Sequence, residues 1–389
     1  MSVTIHHIET LLPPYAYRQE FARDRMMRWL PDRRTQRLIR GIYNRSGIET
    51  RYSVLPDFVP GAQPVLFNED AEGRMVEPTT EPRNRQYAKW SRILGVDVAR
   101  NAINNAAGFR PKEITHVITV SCTGFCNPGL DLEIIRELEL ADTVERYQIG
   151  FMGCYAAFPA LRMARQFCLA CPDAVVLIVC LELCSLHLQL REEPDSLLAN
   201  ALFADGAAAA VVSARVPFPG RPSLEIHAFS SALAPDSEGD MTWSIGDRGF
   251  DIRLSSYVPD IIAASISGMV DRIMASGRWD RRSVGTWAVH PGGRSIVDKV
   301  QQELDLAVGQ LEDSRAVLRD FGNMSSATIL FVLRRILMRP EMDGERRHPV
   351  LAMAFGPGLT LEAAMMERLP GEAVPALSGG RANAETDPS

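Results

Sequence analysis

The order of hydrophobic and polar positions predicts strands that alternate with helices. Every position from Ala174 to Leu181 is apolar or a cysteine, as in a strand that is buried on both faces. The residues after Cys154 are apolar or small on nearly every side of the first helical turns, so this helix is expected to be buried. The alternation indicates an α/β chain with layered sheets. Further helices are predicted near 86–107, 131–138, 255–276, 294–304 and 324–338, and further strands near 115–120, 224–229 and 350–355. Three more strands are predicted without exact bounds: one that leads into Cys154, one that follows the turn Ala204-Asp205-Gly206, and one that ends at His290.

The pattern of the first half recurs after about residue 222. Each half holds one buried, small-residue-rich helix near its centre, the first after Cys154 and the second after Asn323. This suggests an internal duplication of the fold without a visible residue repeat. We therefore predict an N-terminal half over 1–222 and a C-terminal half over 223–369. The remaining residues 370–389 are small, polar and Gly-rich, and a disordered tail is expected there.

Composition excludes several classes of function. The chain has 389 residues and a formal net charge of −6, which argues against nucleic acid or an anionic membrane as the main partner. It contains neither an apolar run long enough for a membrane span nor a recognisable signal peptide, so we expect a cytoplasmic protein. Seven cysteines, an odd number, fit free thiols. The pair Cys168 and Cys171 lacks a second pair and a nearby histidine, so no metal site is predicted.

Three chemically capable residues lie where a strand meets a turn or a turn meets a helix. They are Cys154 after Gly153, His290 before Pro-Gly-Gly, and Asn323 after Gly322. Each has a simpler interpretation, as a buried small hydrophobe, a strand end and a helix N-cap. Together they fit decarboxylative Claisen condensation. A cysteine thiolate, favoured by a helix N-terminus, takes an acyl group, and histidine stabilises that anion. Histidine and asparagine then donate hydrogen bonds to a malonyl thioester carbonyl as it becomes an enolate.

Longer motifs give the chain a family resemblance. It resembles type III polyketide synthases of the chalcone and stilbene synthase superfamily, in particular the bacterial members. The resemblance implies the thiolase-like fold, an α/β fold layered αβαβα with two similar halves. It also implies a homodimer that loads malonyl-CoA and an acyl-CoA starter directly and carries no cofactor. The motifs are Met152–Cys154, Ala201–Ala208, Pro235–Glu238, His290–Gly293, Gly322–Ala327 and Phe355–Thr360.

The resemblance also assigns roles to individual residues. Cys154 would be the acylated nucleophile, and His290 and Asn323 would bind the enolate oxygen. Phe203 would be the aromatic gatekeeper between the CoA tunnel and the cavity. Ser325 would line the pocket close to the nucleophile. The loop Gly356, Pro357 and Gly358 would shape the cavity wall.

Departures from the plant pattern bear on the substrate. A second gatekeeper phenylalanine is replaced by Ile252, and Trp243 stands where plant enzymes have a glycine. Plant threonines of the cavity align with Cys122, Cys184 and His187, although His187 fits a hydrogen-bonded core histidine equally well. The reshaped cavity argues against a coumaroyl starter. We expect an aliphatic acyl starter and a product of the alkylpyrone or alkylresorcinol type.

A run of arginines over 33–45 has two interpretations. It is either a solvated helix face or a docking patch for a phosphorylated carrier. Its position is similar to that of the family's CoA-phosphate site. Arg45 aligns with a basic position of that site, while Arg37 and Arg40 would substitute for two others.

Three other functions stay open on sequence grounds. A tetrahydroxynaphthalene synthase would use malonyl-CoA alone. A ketoacyl-ACP synthase III would use the same Cys, His and Asn chemistry for a single condensation. A non-catalytic protein of the thiolase fold would need none of the three residues, and the presence of all three disfavours it.

Overall fold

The computed structural model describes residues 1–275, 277, 279–340 and 347–371. The described strands are β1 (Thr4–Leu11), β2 (Tyr15–Arg18), β3 (Thr50–Ser53), β4 (His116–Ser121), β5 (Glu145–Gly150), β6 (Val175–Leu183), β7 (Asp205–Ser213), β8 (Ser223–Leu233), β9 (Met241–Gly246), β10 (Gly249–Leu254), β11 (Thr286–Val289), β12 (His348–Gly356) and β13 (Thr360–Leu369). The described helices are α1 (Gln19–Trp29), α2 (Arg33–Arg45), α3 (Thr80–Asn105), α4 (Leu130–Glu137), α5 (Ala157–Ala170), α6 (Pro194–Leu202), α7 (Val258–Ala275), α8 (Arg294–Glu303), α9 (Glu312–Phe321) and α10 (Thr328–Leu337).

Nine of these strands form one sheet in the order β11-β12-β13-β8-β1-β7-β6-β4-β5. Its two halves meet where β1 pairs antiparallel with β8, with Thr4 opposite Glu225. Outward from this seam in the N-terminal half, β1 pairs antiparallel with β7, β7 antiparallel with β6, and β6 parallel with β4. In the C-terminal half, β8 pairs antiparallel with β13, β13 antiparallel with β12, and β12 parallel with β11. The predicted fold of two similar halves is confirmed by this shared topology.

Two central helices lie between the two halves of the sheet. Phe158 of α5 and Leu330 of α10 belong to one buried apolar cluster with Val176 of β6 and Val350 of β12. The opposite face of the N-terminal half packs on α3, and that of the C-terminal half packs on α7 and α8. The layers are therefore helix, sheet, helix, sheet and helix, as expected for the αβαβα arrangement.

The sheet is completely buried where it carries the site. Every residue of β6 from Val175 to Leu183 is buried, which confirms the prediction of a strand covered on both faces. Parallel strands β4, β5, β11 and β12 end near the same region. Their following turns therefore bring residues from both halves together.

Several elements differ from the sequence-based prediction. Helices α6 and α9, the hairpin β9–β10 and strand β13 were not predicted. Strand β13 is rich in Ala, Met, Glu and Leu, which favour helices, yet it pairs with β12 and β8 inside the sheet. Helix α3 begins at Thr80 and not near residue 86. Pro82 does not prevent this earlier start, because it lies in the first turn of the helix, where proline is tolerated.

The predicted domain bounds stay predictions. The division at residues 222 and 223 falls immediately before β8. Of the predicted tail over 370–389, residues 372–389 lie outside the described part of the chain. Ser276, the last residue of the predicted helix 255–276, lies outside it too.

Candidate active site

Cys154 lies in a tight turn between β5 and α5. The turn uses positive backbone φ angles at Phe151 (55°) and Gly153 (77°) and continues as a 3₁₀ turn before α5. A Cβ atom at residue 153 would lie 2.3 Å from Cδ of Pro357. Glycine is therefore required at this position for two reasons, the positive φ angle and the close contact with the Gly356–Gly358 loop.

Asn323 is held on both its backbone and its side chain. Its N–H donates to the carbonyl of Leu202 at 2.9 Å, and its own carbonyl accepts from Ala204 N–H at 2.9 Å. The side-chain Nδ2 donates to the Gly292 carbonyl at 3.1 Å, and Oδ1 accepts from Ser325 N–H at 2.9 Å. These bonds fix the amide orientation with Nδ2 4.0 Å from the Cys154 sulfur. The second amide hydrogen of Nδ2 is directed at that sulfur in a long contact, which a ligand acceptor can replace.

His290 follows β11 and is almost completely buried. Its backbone N–H donates to the Met353 carbonyl at 2.8 Å. Among the described residues, neither ring nitrogen has a hydrogen-bond partner. Burial lowers the pKa of His290 to about 3, so the imidazole is neutral in the empty site. Two unpartnered buried nitrogens in the same cavity as the Cys154 thiol are suited to binding a polar substrate group.

The expected thiolate is not favoured at Cys154 in the empty site. Burial raises the pKa of the thiol to about 12, and the nearby Glu182 charge acts in the same direction, while a hydrogen bond with the Ser325 side chain acts against it. Helix α5 begins only at Ala157, so its dipole acts from a distance. Desolvation outweighs the helix terminus, and the proton stays on sulfur until a base accepts it.

Glu182 is a functional candidate that sequence reasoning missed. Its completely buried carboxylate accepts from Cys122 N–H at 2.9 Å, from the Thr123 hydroxyl at 3.1 Å and from the Ser326 hydroxyl. Burial raises its pKa to about 7. The signal in the sequence was a single acid within an otherwise apolar strand.

The three predicted catalytic residues line one cavity with about 610 Å³ of free space, which we call the catalytic cavity. Cys154, His290 and Asn323 come from three different turns, and the tertiary structure brings them together. Gly356 and Gly358 flank Pro357 without lining the cavity themselves. The predicted pocket residues that line it are Cys122, Cys184, Phe203, Trp243, Ile252, Ser325 and Pro357.

A second cavity of about 530 Å³ adjoins the first. Cys184, Phe203, Trp243 and Ile252 line both cavities and form the wall between them. Met26 and Ala199 are among the apolar residues on the far side. The two cavities together offer more room than the catalytic cavity alone.

His187 lines the second cavity and not the catalytic one. Its Nε2–H donates to the Thr123 carbonyl at 2.7 Å, and Nδ1 accepts from Phe250 N–H at 3.1 Å. Burial lowers its pKa to about 3. Both nitrogens are occupied, so the geometry favours the simpler interpretation of a hydrogen-bonded core histidine.

The unpredicted hairpin β9–β10 supplies much of the wall. Trp243 and Ile252 lie opposite each other in its register. The Trp243 indole N–H donates to the Cys122 carbonyl at 2.9 Å, and the Trp243 ring lies 6.3 Å from that of Phe203. One short hairpin thus places two of the residues in which the chain departs from the plant pattern.

An open cavity of about 1,190 Å³ leads from the surface to the catalytic cavity, and we call it the entrance cavity. Leu254, Gly292 and Ile296 line both. The predicted CoA contact Arg45 lines the entrance cavity, together with Arg294, which sequence reasoning missed.

Of the other two predicted CoA contacts, Arg37 and Arg40 lie on the exposed face of α2 and do not line the entrance cavity. Arg294 could have been found from the sequence, since it directly follows the Gly292-Gly293 turn that lines the passage.

No described residue of the catalytic cavity belongs to a metal-ligating group. In the described part of the chain, Glu225, His227 and Glu367 are close enough to share an ion. Arg347 already bonds both carboxylates at 3.0 Å. Nor does any described helix combine the length and the apolar character needed to cross a membrane.

Comparison with known proteins identifies the family. Residues 3–216 match the N-terminal domain and residues 225–370 the C-terminal domain of chalcone and stilbene synthases. The chain belongs to this family. It is thus a type III polyketide synthase, an acyltransferase that forms carbon–carbon bonds, in a family that uses CoA thioesters.

Two curated relatives show the range of this type III polyketide synthase family. An "Alpha-pyrone synthesis polyketide synthase-like Pks18" from Mycobacterium tuberculosis is 28% identical over 93% of this chain and 90% of its own length. A "Probable polyketide synthase 1" from Dictyostelium discoideum is 28% identical over 86% of this chain. This chain spans only 10% of the length of that relative.

Solved structures share the whole fold. PKS-I from the brown alga Ectocarpus siliculosus is 32% identical with a TM-score of 0.87, covering 95% of this chain and 98% of that one. The 1,3,6,8-tetrahydroxynaphthalene synthase from Streptomyces coelicolor is 30% identical with a TM-score of 0.82, covering 95% and 100%.

Proposed function

We propose that this type III polyketide synthase condenses malonyl-CoA repeatedly onto an aliphatic acyl-CoA starter held on Cys154. Cyclisation then gives a product of the alkylpyrone or alkylresorcinol type. The observation that carries the proposal is the convergence of Cys154, His290 and Asn323 in one cavity with an open entrance.

Loading begins with the thiol of Cys154. The acyl-CoA enters through the entrance cavity with its phosphates near Arg45 and Arg294. The Cys154 sulfur attacks the thioester carbonyl while neutral His290 accepts the thiol proton. The CoA thiolate leaves and takes that proton, so the enzyme holds an acyl thioester.

Extension uses the same two hydrogen-bonding groups. The thioester carbonyl of malonyl-CoA accepts from His290 and from the remaining amide hydrogen of Asn323. Loss of CO₂ leaves the electron pair on an enolate whose oxygen these donors stabilise. The enolate carbon attacks the acyl carbonyl on Cys154 and releases the cysteine sulfur. Transfer of the lengthened chain back to Cys154 permits the next round.

Room for an aliphatic chain supports the choice of starter. The wall residue Ile252 is smaller than the phenylalanine that the resemblance places there, and the second cavity lies directly behind it. Trp243 belongs to the same wall and stands where the resemblance places a glycine that gives an aromatic starter room. The name of the mycobacterial relative refers to alpha-pyrone synthesis, which is in keeping with this product class.

Product analysis by mass spectrometry tests the proposal. Purified enzyme is given malonyl-CoA alone and then malonyl-CoA with acyl-CoAs of rising chain length. We expect pyrones or resorcinols that carry the added alkyl chain, with kcat/KM rising with chain length. Malonyl-only turnover without any starter preference would contradict the proposed starter.

Two alternatives give other products. An aromatic pentaketide from malonyl-CoA alone would indicate a tetrahydroxynaphthalene synthase, the activity named for the Streptomyces structure. A single β-keto extension of carrier-bound malonate would indicate a ketoacyl-ACP synthase III. A homodimer and a cytoplasmic location belong to the same proposal.

A further inference from the structure

Five arginines at the end of α1 and along α2 form no close ion pair with any residue that the structure describes. We call the surface that carries them the basic face. None of the five lies within 4 Å of a carboxylate among the described residues, although the charge of Arg37 acts on Asp32 from further away. Their neighbours Arg23 and Arg25 do form ion pairs, with Asp24 at 2.8 Å and Glu69 at 3.6 Å. All five are exposed. They are Arg28, Arg33, Arg34, Arg37 and Arg40.

The charge of this surface is opposite to that of the whole chain. Helix α2 from Arg33 to Arg45 contains five arginines and no acidic residue, while the chain has a net charge of −6. The N-cap Asp32 is the acidic group at its start and accepts from the backbone of Arg34 and Thr35. A local positive potential on an acidic protein attracts and orients an acidic partner.

The basic face leads to the entrance cavity. Arg34 and Arg45 are eleven residues apart, which is about three helical turns, so they share one side of α2 roughly 16 Å apart. Leu38 lies between them with 37% of its surface exposed. At the end of this stripe, Ile42, Arg45 and Ser46 line the entrance cavity.

We propose that the basic face docks an acidic carrier protein, which delivers the acyl group on a phosphopantetheine arm through the entrance cavity. The proposal rests on the proposed function and names a partner for the same site. The phosphates of free CoA need charge only at the rim, where Arg45 and Arg294 stand. Arginines three helical turns away, with an exposed leucine between them, fit the footprint of a protein.

The chemistry of loading is unchanged by the carrier. The Cys154 sulfur attacks the acyl carbonyl, and the bond from that carbon to the pantetheine sulfur breaks. The carrier's thiol leaves with the proton that Cys154 gave to His290. Atoms and electrons therefore balance without a further reactant.

The double variant R33E/R34E tests the docking surface. Both residues are exposed, and neither lines the entrance or the catalytic cavity. Glutamate is favourable in the first turn of a helix, so α2 is expected to remain folded. The matched control is R136E/R282E, which reverses two exposed arginines without ion pairs in the described chain, on α4 and in the turn before β11.

The measured quantity is kcat/KM for decanoyl-loaded acyl carrier protein and for decanoyl-CoA, each with malonyl-CoA. We expect R33E/R34E to lower the value for the carrier-bound donor by about tenfold or more and to leave that for decanoyl-CoA within about twofold. The control should change neither value. In the unmodified enzyme, salt should reduce turnover of the carrier-bound donor more steeply than that of decanoyl-CoA.

Other outcomes overturn the inference. If the enzyme turns over decanoyl-CoA but not the carrier-bound donor, no carrier docks here and the proposed function stands. The same conclusion follows if R136E/R282E lowers kcat/KM for the carrier-bound donor as much as R33E/R34E does. If R33E/R34E loses binding to anionic phospholipid vesicles while carrier turnover is unchanged, the face binds membrane and not a carrier. If neither donor acylates Cys154, the proposed function itself fails.

Discussion

Each of the three residues proposed to be catalytic is positioned by a different local feature. A glycine turn packed on Pro357 presents Cys154, the end of β11 presents His290, and two backbone hydrogen bonds fix Asn323. Burial then sets their charge, since it raises the pKa of the Cys154 thiol and lowers that of the His290 imidazole. The empty site is therefore a neutral pair that needs a substrate before it separates charge.

The roles of these residues predict how the half-reactions separate. Cys154→Ala should abolish condensation and retain CO₂ release from malonyl-CoA, because His290 and Asn323 bind the developing enolate. His290→Ala removes one of the two donors and should lower decarboxylation by about 10² to 10³. Release of labelled CO₂ measures both variants.

The assignment of roles would be wrong if Cys154→Ala lost decarboxylation while His290→Ala kept it. Ser295→Ala is a control for substitution near the site, because Ser295 lines only the entrance cavity.

Glu182 predicts a pH dependence of stability. Its pKa is raised from 4.5 to about 7 by burial, so between these values the folded state holds a proton that the unfolded chain has released. Its contribution is thus most favourable at low pH and is lost as the pH rises to about 7. The free energy of unfolding of Glu182→Gln, relative to that of the unmodified protein, should therefore rise by on the order of 2–3 kcal/mol between about pH 5 and about pH 8.

Urea unfolding at the two pH values gives this difference in the free energy of unfolding. Glu238→Gln is the matched control, because Glu238 is exposed in a loop. If the difference in the free energy of unfolding between Glu182→Gln and the unmodified protein stays constant or shrinks with rising pH, Glu182 is not a buried carboxyl that titrates near neutrality.

At the scale of elements, the hairpin β9–β10 supplies two residues of the wall between the catalytic and the second cavity, which the proposed acyl chain would cross. Its register sets Trp243 beside Ile252, and both line the catalytic and the second cavity. The hairpin forms a separate two-stranded sheet, so substitutions in it leave the backbone hydrogen bonds of the main sheet intact. It is therefore the element most suited to tuning the starter.

Narrowing this passage predicts a change in chain-length preference. Ile252→Phe adds an aromatic ring to the wall and should lower kcat/KM for long acyl-CoAs about tenfold or more, while short ones change little. The control is Ile245→Phe on the same hairpin, where the residue is 60% exposed and lines neither cavity. An equal effect on short and long starters would show that the chain does not cross the wall.

At the scale of the whole molecule, the layered arrangement makes one site from two halves. Cys154 comes from the N-terminal half, and His290 and Asn323 from the C-terminal half. The central helices α5 and α10 share one apolar cluster, which keeps the halves at a fixed distance. The catalytic cavity lies where their entering turns meet.

The proposed homodimer is predicted to use the edge of the sheet formed by β5. Strand β5 is the last strand in the sheet order, and Phe125 beside it is 40% exposed and lies 5.2 Å from the ring of Phe151. We expect sedimentation to give twice the chain mass of 43.1 kDa. Phe125→Glu should weaken the dimer by placing a charge in the contact.

The control for this change is Phe218→Glu, since Phe218 is 51% exposed in the loop before β8. A species of 43.1 kDa at micromolar concentration, or equal effects of both variants, would exclude this edge as the interface.

The sequence by itself determined the alternation of strands and helices and the two buried central helices, and it singled out the three residues proposed to be catalytic. It could do so because a buried strand such as β6 and a buried helix such as α5 are recognisable from their consecutive apolar or small residues. Cys154, His290 and Asn323 were equally visible, since each follows a turn marked by glycine or proline or lies next to one.

Only the tertiary structure decided the rest. Strand β13 has the composition of a helix, and pairing with β12 and β8 overrides that preference. The buried hydrogen bonds of Glu182 beneath Cys122 and the raised pKa of Cys154 both depend on neighbours far away in the chain. Local periodicity reports which side of an element is buried. Desolvation, cavity shape and charge depend on what lies against that side, and that is set only when the layers pack.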